Sequence, residues 1–435
     1  MPLKKVFHFS PSQIIIMAAL FIIGCASLLL SLPAAQVKPI PFIDVLFTAI
    51  SATTATGLFT VPLSNFTLFG QACIICFAQI GAIGLVLLAF FLLYLFIDLA
   101  PSTELLAAGA LNIDVRKNVK KLILFVMFFT ITIEFLGALS IFFSLKEHYP
   151  LARAWFLAIF HAISAFANAG FSLFDNSLQE HLYNPSILLT LNILMIIGGL
   201  GFITLREGLK ILPKFLQGKP YHFSLGSKIS LKTTALLLST ATLLFAVLEY
   251  QHALSDLGFI HIVVNALFNA TAFMGTGFST LPTPALQLAT LLIIMIVAFI
   301  GTSPGSTGSG IRTTTTAIFL ATLKSFILGK PYVELQGERI PRSEINTAIA
   351  IIALSIPWIF ITTFILLLTE PGHNFIRVLF EAVSAFATLG LSLGITPTLS
   401  AAGKVIIMLS MFLGKIGPFT IIFAIRKTII DVTHE

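Results

Sequence analysis

The chain has 435 residues, of which 57% are hydrophobic and only 10% charged. Soluble domains carry about a quarter charged residues, so the composition excludes an ordinary soluble protein and points to a polytopic protein of the lipid bilayer. The formal net charge of +7 does not indicate nucleic acid, because the basic residues gather at the ends of apolar runs, where cytoplasmic loops of membrane proteins collect them.

At the N-terminus, MPLKKVFHFSPSQ leads into the run Ile14–Leu32, which has the length of a membrane span and not of a short secretory h-region. The apolar runs fall into four units, 1–97, 98–206, 207–328 and 329–435. Each unit reads as a full-length span, a half-length run closing on glycine, and a second full-length span. Unit one has Ser12–Leu32, Phe42–Thr54 and Leu68–Ile97; unit two has Leu122–Leu145, Leu151–Phe166 and Ile187–Leu205. Unit three has Ser230–Tyr250, Phe259–Phe273 and the interrupted run Leu286–Leu328; unit four has Asn346–Leu368, Phe375–Ala387 and Val405–Arg426. A helix needs about 20 residues to cross the hydrocarbon, so the half-length runs must enter and leave on one side. Irregular backbone at that depth has to lie inside protein or beside water. The expected fold is an all-α membrane protein with eight spans and four re-entrant pore loops.

The half-length runs share one motif: LFTAISATTATGL (Leu46–Leu58), IFHAISAFANAGF (Ile159–Phe171), NALFNATAFMGTGF (Asn265–Phe278) and LFEAVSAFATLGL (Leu379–Leu391). Gly57, Gly170, Gly277 and Gly390 are spaced by 113, 107 and 113 residues, and six positions before each stands Ser51, Ser164, Thr271 or Ser384. A period this regular means related units, arranged here around one pseudo-fourfold axis. Glycine after a short buried helix permits backbone torsions closed to other residues, so carbonyls can turn toward a shared centre. Carbonyl rings replace the hydration shell of a cation, and the C-terminal ends of the half-helices favour positive charge. The candidate ligands are the backbone oxygens of Ala55, Thr56 and Gly57; Asn168, Ala169 and Gly170; Gly275, Thr276 and Gly277; and Thr388, Leu389 and Gly390. The hydroxyls of Thr54, Thr56 and Thr276 and the amide of Asn168 are placed to support them. Small-residue helix packing explains one such motif but not four at regular spacing.

Lys4 and Lys5 precede the first span, and further basic clusters join the units: Arg116, Lys117, Lys120 and Lys121; Lys210, Lys214, Lys219, Lys228 and Lys232; Lys324, Lys330, Arg339 and Arg342. Arg426 and Lys427 close the chain, while the other side has only Lys38, Lys146, Arg153, Arg377 and Lys404. Both termini are therefore expected in the cytoplasm, with the pore loops entering from outside.

The second span of each unit carries a glycine cluster: Gln79–Gly84, Ile197–Gly201, Phe412–Gly417 and, expanded in unit three, Gly301–Gly310 with the sequence GTSPGSTGSG. Gly301, Pro304, Gly305, Ser306, Gly308, Ser309 and Gly310 cannot remain helical at that density. A flexible polar loop at membrane depth below the filter is the expected gate. No Lys-Ser/Thr ending and no preceding strand support a phosphate cradle. Lys415 lies inside an otherwise apolar span, which makes it a functional candidate by default. It is expected to restrain the loop near Ser306 and Ser309, with Arg312 as a second candidate.

The four motifs, the broken span GTSPGSTGSGIRTTTT (Gly301–Thr316) and FLGKIGPFT (Phe412–Thr420) resemble the Trk/Ktr/HKT superfamily of potassium transporters over essentially the whole length, with a bacterial Ktr-type membrane subunit as the nearest pattern. The resemblance implies a single-chain relative of a tetrameric potassium channel in a bacterial cytoplasmic membrane, usually a homodimer with one pore per subunit above a cytoplasmic, nucleotide-binding (RCK-type) regulatory ring. It implies K+ at the filter carbonyls as the transported ion and no cofactor in this chain, with Na+ an alternative cargo or a modulator. In the family, serine at the first-unit glycine goes with sodium transport, so Gly57 leans toward potassium. Arginine is usual at the position of Lys415, and lysine keeps the charge but not the planar fork.

Cys73-Ile-Ile-Cys76 has no second pair and no nearby histidine, so it reads as packing and not as a metal or redox site. Glu134, His161 and Glu381 are the remaining buried ionisable candidates, better suited to hydrogen bonding between helices than to a proton relay. They form no nucleophile–base pair or metal set, which argues against an intramembrane enzyme. No G-x-G-x-x-G follows a strand, so nucleotide sensing would reside in another chain. Units repeated in one orientation argue against an inverted-repeat secondary transporter.

Overall fold

The computed structural model describes residues 11–88, 115–218, 222–417 and 420. Unit one comprises α1 (Pro11–Leu30), α2 (Phe42–Thr53) and α3 (Leu68–Gln79), which continues through a π-turn at Ile80–Gly84. Unit two comprises α4 (Val115–Leu145), α5 (Leu151–Phe166), α6 (Pro185–Gly199) and α7 (Phe202–Leu216). Unit three comprises α8 (Leu225–Glu249), α9 (Phe259–Ala272), α10 (Leu288–Ile300) and α11 (Thr313–Ile327). A two-residue-stranded hairpin, β1 (Glu334–Leu335) with β2 (Glu338–Arg339), leads to unit four: α12 (Arg342–Thr369), α13 (Phe375–Phe386) and α14 (Ala401–Ile416). Gln336 and Gly337 both take positive φ between the two strands, as the tightest hairpin turns require.

In units one, two and four the half-length helix packs against both of its flanking spans, and in unit three α9 packs against the first span, α8. The second span also packs against the half-length helix of the following unit: α3 on α5, α6 on α9, α10 on α13, and α14 back on α2. These contacts close the four units into a ring. Large side chains on the half-length helices, among them Phe47, Phe160, Phe166, Phe268 and Phe380, are fully buried. The outer faces of the first spans carry Phe21, Leu28, Phe128, Leu236, Val247 and Phe364 exposed, an apolar surface that matches lipid. The half-length helices have 12 to 16 residues, about 18–24 Å of rise, and fall short of the bilayer.

Five helices among the described residues are long and apolar enough to cross a membrane: Ser12–Leu30, Leu68–Leu88, Lys121–Leu145, Leu225–Glu249 and Arg342–Thr369. The second span of unit two, expected unbroken over Ile187–Leu205, is instead α6 and α7 meeting at 104°. Gly201 makes the bend, with φ 85 and ψ 132. Nearly the same torsions recur at Arg312 (φ 81, ψ 143), where α11 begins, and at Gly417 (φ 88, ψ 136), where α14 ends. Only unit one carries its helix past this point, through the π-turn. The span expected over Leu286–Leu328 is α10, a loop and α11, as its glycines require. The ends of the spans expected to reach Ile97 and Arg426 lie outside the described residues.

Candidate functional site

The four motif glycines meet in a closed ring. A Cβ built on Gly57 would strike the carbonyl oxygen of Ala169; on Gly170, that of Thr276; on Gly277, that of Leu389; and on Gly390, that of Thr56. Each unit thus abuts the next, and the fourth returns to the first. Any side chain at these glycines displaces a neighbouring backbone oxygen, and all four hold positive φ, between 68° and 89°.

The ring is built by a common helix ending. The N–H groups of Ala55, Asn168, Gly275 and Thr388 bond the carbonyls of Ala52, Ala165, Ala272 and Ala385. Those of Thr56, Ala169 and Leu389 reach one residue further back, to Ser51, Ser164 and Ser384, at 2.8–2.9 Å. This is the Schellman pattern, whose C′ residue adopts the left-handed conformation and is usually glycine. Here Ala55 (φ 52), Asn168 (φ 52) and Thr388 (φ 49) occupy it instead, at a cost of about 1–2 kcal/mol each. In unit three the residue is Gly275 (φ 137), and Thr276 N–H bonds Ala272 in place of Thr271.

Because the cap uses carbonyls further back in each helix, those of the twelve candidate ligands are left over. None of the twelve accepts a hydrogen bond from any described residue. All are buried except Gly170 and Gly390, which are half-buried. Buried backbone carbonyls are nearly always paired with protein groups or ordered water, so the unpaired ones gathered around this axis are open to a partner other than protein: water or a cation.

Hydroxyls brace the ring. Thr54 Oγ1 lies 2.7 Å from Thr56 Oγ1, and Ser51 Oγ accepts the Gly57 N–H at 3.1 Å. Ser164 and Ser384 donate to Phe171 and Leu391 carbonyls at 2.8 and 2.6 Å. Thr276 Oγ1 donates to Asn168 Oδ1 at 2.6 Å, so the Asn168 amide supports a neighbouring unit and not its own carbonyls.

The intramembrane loop between α10 and α11 lies against this ring. Its neck is pinched where Gly301 and Gly310 meet: a Cβ on either would lie within 3.0 Å of the other's Cα. Backbone hydrogen bonds tie the loop to unit two. Ser303 and Thr307 N–H groups bond the carbonyls of Gly199 and Gly198, and Gly305 O accepts the Phe202 N–H, all at 3.0–3.1 Å. Ser306 Oγ bonds Ser303 O at 2.6 Å. Lys415 Nζ donates to Thr307 O at 2.6 Å, on the stretch of the loop between Ser306 and Ser309. Arg312 is the residue that gathers the loop, with Nη1 2.7 Å from Gly308 O and 3.4 Å from Ser306 Oγ. Ser309 Oγ is buried without a partner. Beside the Lys415–Thr307 contact a cavity of about 260 Å³ lies between the loop and unit four, lined by Pro304, Gly305, Arg312, Ser355, Lys415 and Gly417 among others.

Comparison with known proteins decides the family. The model of the TrkH cation transport protein family matches residues 8–430. The chain belongs to the TrkH family. Ktr system potassium uptake protein B of Bacillus subtilis is 35% identical over 429 residues, covering 98% of this chain and 95% of the relative. The protein of the same name from Vibrio alginolyticus is 32% identical, covering 95% and 91%. The potassium/sodium uptake protein NtpJ of Enterococcus hirae is 30% identical, covering 96% and 93%. The crystal structure of the potassium transporter TrkH from Vibrio parahaemolyticus shares the fold, with a TM-score of 0.75 at 18% identity over 97% of this chain and 86% of that one.

Within this TrkH fold the other ionisable candidates are held by hydrogen bonds. Glu134 takes both bonds from Gln79 Nε2, at 2.6 and 2.8 Å, joining units one and two. His161 bonds Leu157 O and Ser172 Oγ, and Glu381 bonds Thr396 and Ser392. Cys73 and Cys76 are free thiols, and no metal-binding group of side chains occurs among the described residues. Three residues escaped the sequence reading. Glu249 and Glu370 end α8 and α12 and accept the N–H groups of Gln287 and Ser400 at 3.0 Å, where α10 and α14 begin. Asp44 pairs with Lys404 at 2.5 Å across the seam between units one and four. The acidic residue at the end of a span, repeated in units three and four, was the one available signal.

Proposed function

We propose that this chain is a potassium-uptake protein of the cytoplasmic membrane of a bacterium, with both termini in the cytoplasm, and not an enzyme. A dehydrated K+ ion binds the oxygens of Ala55–Gly57, Asn168–Gly170, Gly275–Gly277 and Thr388–Gly390, driven inward by the membrane potential. The observation that carries this reading is the closed ring of carbonyls with no protein hydrogen bond. The loop 301–310 is the gate, held shut by Lys415 and Arg312 through its carbonyls. Relatives named as components of Ktr systems support a partner chain, which we take to be an RCK-type regulatory ring beneath a homodimer.

Flux in liposomes, compared for potassium, rubidium and sodium, tests the reading. Potassium and rubidium are expected to pass well ahead of sodium. Equal flux of all three overturns a selective filter. The relative named as a potassium/sodium uptake protein supports a second reading, sodium conduction or coupling, which predicts sodium flux or sodium-dependent potassium flux in the same assay.

A further inference from the structure

Thr307 occupies the point where three units meet. Its N–H bonds Gly198 O of unit two, and its carbonyl accepts Lys415 of unit four. Its hydroxyl lies 2.9 Å from Phe166 O, 3.1 Å from Gly198 O and 2.8 Å from Asn168 Nδ2. A carbonyl can only accept, so the Thr307 hydroxyl donates to Phe166 or Gly198 and must accept from Asn168. That fixes the Asn168 amide: nitrogen toward Thr307, oxygen toward Thr276, whose hydroxyl therefore donates at 2.6 Å. The polarity of the whole chain Thr276–Asn168–Thr307 is set from the loop end.

The surroundings leave the loop one direction in which it has room to move. The loop is stitched to unit two by three backbone hydrogen bonds, whereas the cavity of about 260 Å³ lies on the unit-four side. Movement of the loop into that space withdraws Thr307 from Asn168. The Asn168 amide is only 2% exposed, and its other Nδ2 contacts, to Phe166 O and Met195 O, are long at 3.4 Å. A buried donor left unpaired is costly, so the amide reorients and releases Thr276 at the ring.

We propose that Thr307 is a positioning residue through which the state of the intramembrane loop sets the ion preference of the filter, by way of Asn168 and Thr276. This rests on the filter reading above. The test is the potassium-to-sodium flux ratio of the full chain in liposomes. Thr307→Val keeps the shape and removes the hydroxyl; the ratio is expected to fall by about fivefold or more, with Thr307→Ser restoring it. Thr276→Val cuts the same chain at its other end without touching the loop, and covers the case in which the first variant does not fold. The double variant is expected to be no worse than the more severe single one, the signature of a shared path. An unchanged ratio in Thr307→Val or Thr276→Val, a failure of Thr307→Ser to restore it, or additive losses overturns the link. If the unaltered chain itself does not distinguish the two ions, the filter reading fails first and takes the link with it.

Discussion

Replacing Gly170 with alanine is the sharpest perturbation of the ring. A Cβ there overlaps the carbonyl oxygen of Thr276, and ordinary van der Waals separation requires that oxygen to retreat by about 1.7 Å. An oxygen carrying about half a unit of charge, moved from about 3 to about 4.7 Å from a monovalent cation, loses about 1 kcal/mol at an effective dielectric constant near 20. That corresponds to about fivefold in occupancy, and a drier site makes it larger. Alanine at a φ of 68° adds about 1–2 kcal/mol of backbone strain, which lowers stability without removing the fold. Purified Gly170→Ala in liposomes should therefore show at least about a fivefold loss of potassium preference over sodium, together with a lowered unfolding temperature. Transport indistinguishable from the unaltered chain in both rate and preference would refute the claim that these oxygens bind the ion.

Lys415→Gln removes the ammonium that holds Thr307 O and should raise potassium flux in the same vesicles; unchanged flux denies Lys415 a restraining role. Lys404→Met leaves Asp44 without its partner at a seam where the two side chains are 13% and 8% exposed, and should cost about 3 kcal/mol, read as a drop in thermal stability that Asp44→Asn in the same chain partly recovers. Gly198→Ala should lower the unfolding temperature, because its Cβ would run into the Phe166 carbonyl and force that backbone to shift. Gly24→Ala meets nothing within 4 Å in the middle of α1 and should be neutral or stabilising by up to about 1 kcal/mol; a loss of stability there would show that lipid-facing glycines carry packing not visible in one chain.

The elements of the fold were legible because lipid imposes them: run length separates spans from half-length helices, and the glycine period announces how many units share an axis. The torsions were less legible. Ala55, Asn168 and Thr388 stand in left-handed positions where glycine is the residue that normally signals a helix ending, so the shared cap is hidden by its own side chains. The 104° bend at Gly201 was obscured because Ile197–Gly201 resembles the cluster in unit one, which stays helical through a π-turn. Long-range partners left no local trace. Lys415 stands out in the sequence as a cation inside an apolar span, but nothing in its neighbourhood distinguishes the Thr307 carbonyl from the hydroxyls of Ser306 or Ser309. Lys404 and Asp44 lie far apart in the chain and meet only because the fourth unit must return to the first.

The four corners of the ring are not equivalent, and the odd one belongs to the unit that supplies the intramembrane loop. Units one, two and four end their half-length helices with the same pair of backbone bonds, and each accepts a strained residue to do so. Unit three alone has glycine at that position and a cap bond slipped by one residue, so its corner pays no comparable penalty and has more than one conformation available to it. The same unit supplies the loop 301–310, and its Thr276 is tied by side chain to Asn168 of unit two. A pore of four identical corners has no preferred place to respond to a gate. Under the proposed gating, relaxing one corner, and connecting that corner to the loop from its own unit, gives the response a location while three rigid corners keep the ring closed.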